Sequence, residues 1–288
     1  MRTKTLTIKL KPLTLKPLTY NAGVIHWYER QLKRIVRIMR KATTKGLEEI
    51  WKNLKSEIKI DVVQDANPTI EITTFVNNAE DIIDAFLNKE TLSISVQLLE
   101  KINSISNAQF YSMLRNLETS LDDNTAFMIK GQLIDDYLSE GVQTAIEASL
   151  QENVTYIKAI KDRYFTNLKG QVMRFINGGA SLTDLKDYVN TLGAKSERHA
   201  ELIAQDQVRK AFSSINIHRM ADAGIKKFKW LHVGGSANPR EYHKNVLNGQ
   251  IFDIENPPVI EPKTGETGYP AQLPYCRCQL IPIVDITD

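Results

Sequence analysis

Cysteine is nearly absent from this chain: there are two in 288 residues, Cys276 and Cys278, with Arg277 between them. Cysteines one residue apart could close only a strained ring, so a disulfide framework is excluded. The pair reads instead as two thiols used together or as two buried small hydrophobes. Long apolar runs are missing too. No uncharged stretch approaches the roughly 18 apolar residues of a membrane helix, and residues 1–20 alternate Thr, Lys and Leu without the apolar core of a signal peptide. These absences point to a non-secreted protein made in the cytosol, with no membrane partner. A nucleophile elbow, a Walker loop, a dinucleotide fingerprint and an HExxH are also lacking, which moves the odds away from familiar enzymes. The last scarcity is local. Residues 1–45 hold one acid, Glu29, against twelve Lys or Arg, a net +11, while the remainder carries 33 acids against 25 bases, a net −8. Such asymmetry suggests an N-terminal arm that meets an acidic surface or nucleic acid.

What is present is ordinary globular material, 42% hydrophobic and 25% charged, which rules out disorder throughout. The arm opens with an immediate repeat, Leu-Lys-Pro-Leu-Thr at 10–14 and again at 15–19. Pro12 and Pro17 fix an extended backbone and remove donors, so this stretch is neither a helix nor a central strand. Its leucines suit an apolar groove bordered by acids, or pairing with an exposed strand edge, and its order is expected to come from a partner. From Asn21, as N-cap, to about 40 the pattern turns helical, with Ile25, Tyr28, Leu32, Ile35 and Met39 on one face. Arg30, Lys33, Arg34, Arg37, Arg40 and Lys41 follow the same rhythm displaced around the helix. Two readings stand for this cationic face: a solvated surface, or docking on an acidic protein or on DNA. Trp27 and Tyr28 would anchor such a contact or belong to the core.

A helix is expected at 45–56, then strands at 58–63 and 70–75 with Asn67-Pro68 as the turn between them. From 78 to 224 nearly every window is helical, with breaks at Asp122-Asp123-Asn124, Gly178-Gly179 and Gly193. Ser181 with Asp184 makes a capping-box start, Ser196 caps a long helix over 197–223, and Gly224 stops it. The Asp-Asp-Asn loop lacks the spaced acids of a calcium hand, and His199 and His218 lie too far apart on one helix to share a metal. After Gly224 five of the ten prolines crowd into 257–274, and short strands are expected at 227–233 and 279–284. The fold class is therefore mainly α with a small α+β C-terminal module and an extended basic N-terminal arm. The domains read as 1–44 (arm and basic helix), 45–150 (helical body) and 151–288, whose strand-rich part is 225–288.

The C-terminal order is a long helix ending in Ala223-Gly224-Ile225, then Lys227-Phe228-Lys229-Trp230, Arg240-Glu241-Tyr242-His243, Asn248-Gly249 and Phe252. Gly268-Tyr269-Pro270 and Pro274-Tyr275-Cys276-Arg277-Cys278 follow. This ordered set resembles the C-terminal domain of the Mu-F-like phage minor head proteins, the phage head morphogenesis family, over roughly 150–284. Trp230, Arg240, His243, Gly249, Cys276, Arg277 and Cys278 are the residues that carry the likeness. Family members usually have an acid where this chain has Gly234-Gly235, and often a Thr-Glu pair where it reads Ala204-Gln205-Asp206-Gln207. The resemblance implies a low-copy virion protein, made in the host cytoplasm and held in the capsid interior near the portal. Its implied partners are the portal protein and the major capsid or scaffolding protein; DNA as a partner of the basic arm is read from the charge of residues 1–45, to which the resemblance does not extend. Its implied work is head assembly, packaging or ejection, by binding and without turnover.

His243, Cys276 and Cys278 are by themselves potential ligands for Zn²⁺, with His232, Asp253 or water as a fourth. The preferred reading is a metal-free cluster, in which His243 bonds locally and the thiols pack on Trp230 and Phe252. The alternative is a metal-dependent hydrolase or toxin-like enzyme using His243, Cys276 and Cys278, with Glu241 and Asp253 as candidate acid or base. Arg277 falls on the opposite face from the thiols and is expected to pair with an acid such as Glu241.

Overall fold

A computed structural model describes residues 12–58, 68–118, 139–178, 182–235 and 238–284. Among the described residues four long helices, α1 (Ala22–Ile58), α2 (Pro68–Glu118), α3 (Glu140–Gly178) and α4 (Leu182–Asp222), precede a small module of strands. Among the described residues no helix is long and apolar enough to cross a membrane. The chain divides into two compact units, one of Met1–Ala22, Leu99–Ser149 and Asp206–Asp288, the other of Gly23–Leu98 and Leu150–Gln205.

The second unit is helical. The stripe Ile25, Tyr28, Leu32, Ile35 and Met39 is buried in full, as the 3.6-residue period requires. Two hydrogen bonds cross this interior: Tyr28 donates to Asn153 Oδ1 at 2.8 Å, and the hydroxyls of Thr43 and Tyr164 meet at 2.9 Å. Buried Lys161 sits 2.8 Å from both Asp84 and Asp162 and 3.5 Å from Glu80. Burial works to lower its pKa, but the hydrogen bonds and charges of Asp162 and Asp84 outweigh that and hold it above the usual lysine value.

Three expectations fail in this unit, each for a local reason. Residues 22–58 form one helix, where a helix ending near 40 and another at 45–56 were expected. The stretch 70–75 is helix, not strand, because Pro68 opens α2 as its first residue and Ile72, Val76, Ala79 and Ile83 then fall on one buried face. Ile58 closes α1, and 59–63 lie outside the described residues. Gly193 does not break the chain, and Ser196 lies inside α4. A Cβ at Gly193 would stand 2.5 Å from Arg40 Cδ, so the glycine is there to let that side chain pass. Ser181, Gly179 and Asp122 to Asn124 are outside the described residues.

In the first unit α4 ends as expected. Gly224 takes φ 71°, and the amides of Gly224 and Ile225 reach back to the carbonyls of Ala221 and Met220 at 3.0 and 2.8 Å. That paired return satisfies carbonyls that the helix end leaves open. The chain then builds a four-stranded sheet in the order β1 (Leu13–Thr14), β6 (Gln279–Val284), β2 (Lys227–Leu231), β3 (Ile251–Asp253), beside a two-stranded ribbon of β4 (Val259–Glu261) and β5 (Glu266–Thr267). The expected strands at 227–233 and 279–284 are β2 and β6, antiparallel, with Phe228 opposite Pro282 and Trp230 opposite Leu280.

The described half of the arm lies on this sheet. Leu13 pairs with Val284 and Thr14 with Ile283, while the amides of Leu15 and Leu18 reach Pro282 O and Leu280 O at 3.1 and 3.3 Å. Pairing with a strand edge was one of the expected modes, and for residues 12–20 that edge is β6 of this same chain. Pro282 explains why β1 is so short. Its carbonyl faces β1, so its missing N–H faces β1 too, and the ladder to β2 stays whole. Leu18 is buried at the end of the segment, which gives the arm an apolar anchor.

Candidate functional site

The residues singled out at the C-terminus converge. Trp230 is fully buried on β2, its ring edge-on to the His243 ring at 5.1 Å and to Phe252 at 6.5 Å. Arg240 opens a short helical stretch that widens into a π turn at His243–Leu247. Residues three apart on such a stretch share a face. From that face Arg240 donates to Pro274 O at 3.1 Å, while His243 turns its Nδ1 to both sulfurs, 3.6 Å from Cys276 and 3.7 Å from Cys278. The spacing Arg-x-x-His is thus one grip, applied twice to the segment 274–278. Gly249 closes the return to β3 by donating to Trp230 O at 2.8 Å.

Cys276 is presented by a strained turn. Its amide donates to Leu273 O at 3.0 Å, with Pro274 second in the turn and Tyr275 third at φ 60°. That third position wants glycine, and a tyrosine there costs on the order of 1 kcal/mol. The strain is held by Asp206 of α4, buried, whose Oδ1 accepts the Tyr275 N–H at 2.6 Å. Asp206 belongs to the Ala-Gln-Asp-Gln stretch that departs from the family pattern, and only the folded chain shows what it holds.

Both cysteines are buried and free. The His243 Nε2 lies 2.9 Å from Ile260 O, so that nitrogen carries a proton and Nδ1 is the ring atom that faces the thiols. The thiols titrate as a pair. One is drawn well below the usual thiol value by the S–H that the other donates to it, against the effect of burial and helped by His243. The second is driven up by that same bond, by burial and by the charge of the first. The Val233 amide and the Trp230 indole N–H, the latter otherwise without a partner, counter this at Cys278.

His232 follows β2 directly. Continuing the β2–β6 register one step past Leu231 and Gln279 sets it across from Cys278, and its Nδ1 is 3.6 Å from that sulfur. Its amide is held by Asn248 Oδ1 at 2.9 Å. Asp253 is exposed on β3, and Glu241 accepts from Asn245 at 2.8 Å. The expected Arg277 to Glu241 pair is replaced: Arg277 donates to Gly235 O at 2.7 Å, pinning the loop after β2.

The basic face of α1 is placed as its rhythm suggests, opposite the buried stripe, with Arg30, Arg34, Arg37 and Lys41 exposed. Four of the six cations have acids on their own unit. Lys33 bonds Glu29 and, at 3.2 Å, Glu201; Arg34 is 3.7 Å from Glu90; Arg37 and Arg40 share Glu197 at 3.2 and 3.9 Å. His199 and His218 lie on α4, as expected of separate histidines.

Over 284 residues the chain is 23% identical to an uncharacterized protein of Haemophilus influenzae, a match that takes in 96% of this chain and 57% of the relative. The chain thus spans a little over half the length of that curated relative. No solved structure matches it. Residues 166–281, which hold all seven residues that carried the resemblance in the sequence, match the family of Phage Mu protein F like proteins.

Proposed function

We propose that this chain is a minor head protein of a tailed bacteriophage, seated at the portal vertex inside the capsid and acting in head assembly, DNA packaging or ejection. The observation that carries this reading is the family match over 166–281, together with the way Trp230, Arg240, His243 and the Cys-Arg-Cys segment support one another in space. The mechanism is binding. A small rigid module offers a fixed shape, and the exposed arginines of α1 offer charge to an acidic portal surface or to packaged DNA.

Mass spectrometry of purified virions and of empty procapsids tests it directly. The reading expects a few copies of this chain in both, and co-purification with portal from cells that make only the two proteins. Absence from virions and procapsids alike would refute it.

A further inference from the structure

We infer that His232, His243, Cys276 and Cys278 form a closed structural Zn²⁺ site, a metal centre that completes the C-terminal module. In a zinc tetrahedron with Zn–S near 2.3 Å and Zn–N near 2.0 Å, each sulfur-to-nitrogen edge is about 3.6 Å. Three such edges are already in place: Cys276 to His243 at 3.6 Å, Cys278 to His243 at 3.7 Å, and Cys278 to His232 at 3.6 Å. The ligand atoms of His243, Cys276 and Cys278 all lie within 4.8 Å of one another.

The orientation of His243 argues for a cation over a simple hydrogen bond. One lone pair on Nδ1 can accept one S–H, yet it stands equally far from two sulfurs. A dication between them uses both. The backbone carbonyl of Ile260 on the far nitrogen is the kind of outer partner that fixes the tautomer of a metal-bound histidine.

The fourth position decides what the metal is for. Catalytic zinc keeps one place for water, whereas structural zinc is closed by protein. His232 is brought by the ladder to 3.6 Å from Cys278, and its loop is pinned by Asn248 and Arg277; its ring stands beside the three-residue cluster, so in the closed site it turns inward to take the place of water. The metal would tie together the ends of β2 and β6 and the π turn.

The test uses the full-length chain, stripped with chelator under reducing conditions and titrated with Co²⁺. We expect one Co²⁺ per chain, with the intense visible bands of tetrahedral cobalt and a sulfur-to-cobalt charge-transfer band, and displacement by Zn²⁺. Cys276→Ser and Cys278→Ser should each abolish that spectrum. His232→Ala should weaken binding by about 10-fold or more, while Asp253→Asn should not. Far-UV circular dichroism of the helices reports independently that each variant is folded. A folded parent chain that gives no tetrahedral spectrum overturns the site. The weak bands of a five- or six-coordinate ion, or a His232→Ala chain that binds as the parent does, overturn its closure by His232.

Discussion

Asp206→Ala tests whether the Cys276 turn is held from α4. In the parent, a buried carboxylate accepts the Tyr275 amide at 2.6 Å. A hydrogen bond to a charged group contributes about 1.5–3 kcal/mol, and its loss leaves a strained φ of 60° with less to hold it. Taking about 2 kcal/mol, local opening of the turn should become about 30-fold more frequent. Hydrogen exchange read by mass spectrometry on peptides covering 273–280 measures that ratio, with peptides of α1 as an internal control that should not change. A second substitution separates the bond from the strain. Tyr275→Gly relaxes the left-handed position by about 1 kcal/mol and should return about 5-fold of the lost protection in the Asp206→Ala background. If Asp206→Ala leaves exchange in 273–280 within about 3-fold of the parent, the turn holds itself and Asp206 is not its brace.

Charge reversal of Arg30, Arg34 and Arg37 to Glu should leave the helical unit folded. The bridges of Arg34 and Arg37 are largely exposed, so their loss costs at most about 1 kcal/mol by urea unfolding, while binding to portal or DNA at low salt should fall; unchanged binding would leave the face as mere surface. Leu18→Asp should release the arm: proteinase K, slow on 12–20 in the parent, should cut there first in the variant, and equal resistance would mean that the Leu18 anchor does not hold it. Burial, with Arg163 nearby, holds His199 below its usual value of 6.5, so the unfolded chain takes up the extra proton as pH falls. Stability should drop below about pH 6.5, and His199→Gln should flatten that slope in urea midpoints taken at about pH 7.5 and 5.5.

Features with a local cause were legible in the sequence. The five-residue stripe of α1, the glycine stop at 224 and strands β2 and β6 follow from period and from backbone chemistry within a few residues. The 70–75 stretch misled because Ile, Thr and Phe favour strands intrinsically, whereas burial of Ile72 and Val76 on one helical face outweighs that preference. Gly193 misled in the same way, since the close approach of Arg40 comes from 153 residues earlier in the chain. At the site, the likeness to a family assembled His243 with the two cysteines. Asp206 under the Tyr275 amide had no sequence signal, because its partner lies 69 residues away. His232 was one of several candidates for the cluster, and only the β2–β6 register singles it out.

Because β1 occupies the outer side of β6, any strand offered to that edge from another molecule enters a competition. The resident is tethered to the same chain, so it acts at an effective concentration on the order of millimolar. An outside strand with the same intrinsic affinity would have to reach comparable concentrations to displace it, and a weaker one would never register. The short pairing of Leu13 and Thr14 therefore works as a filter on the edge: it admits only an intruder that brings more than backbone hydrogen bonds.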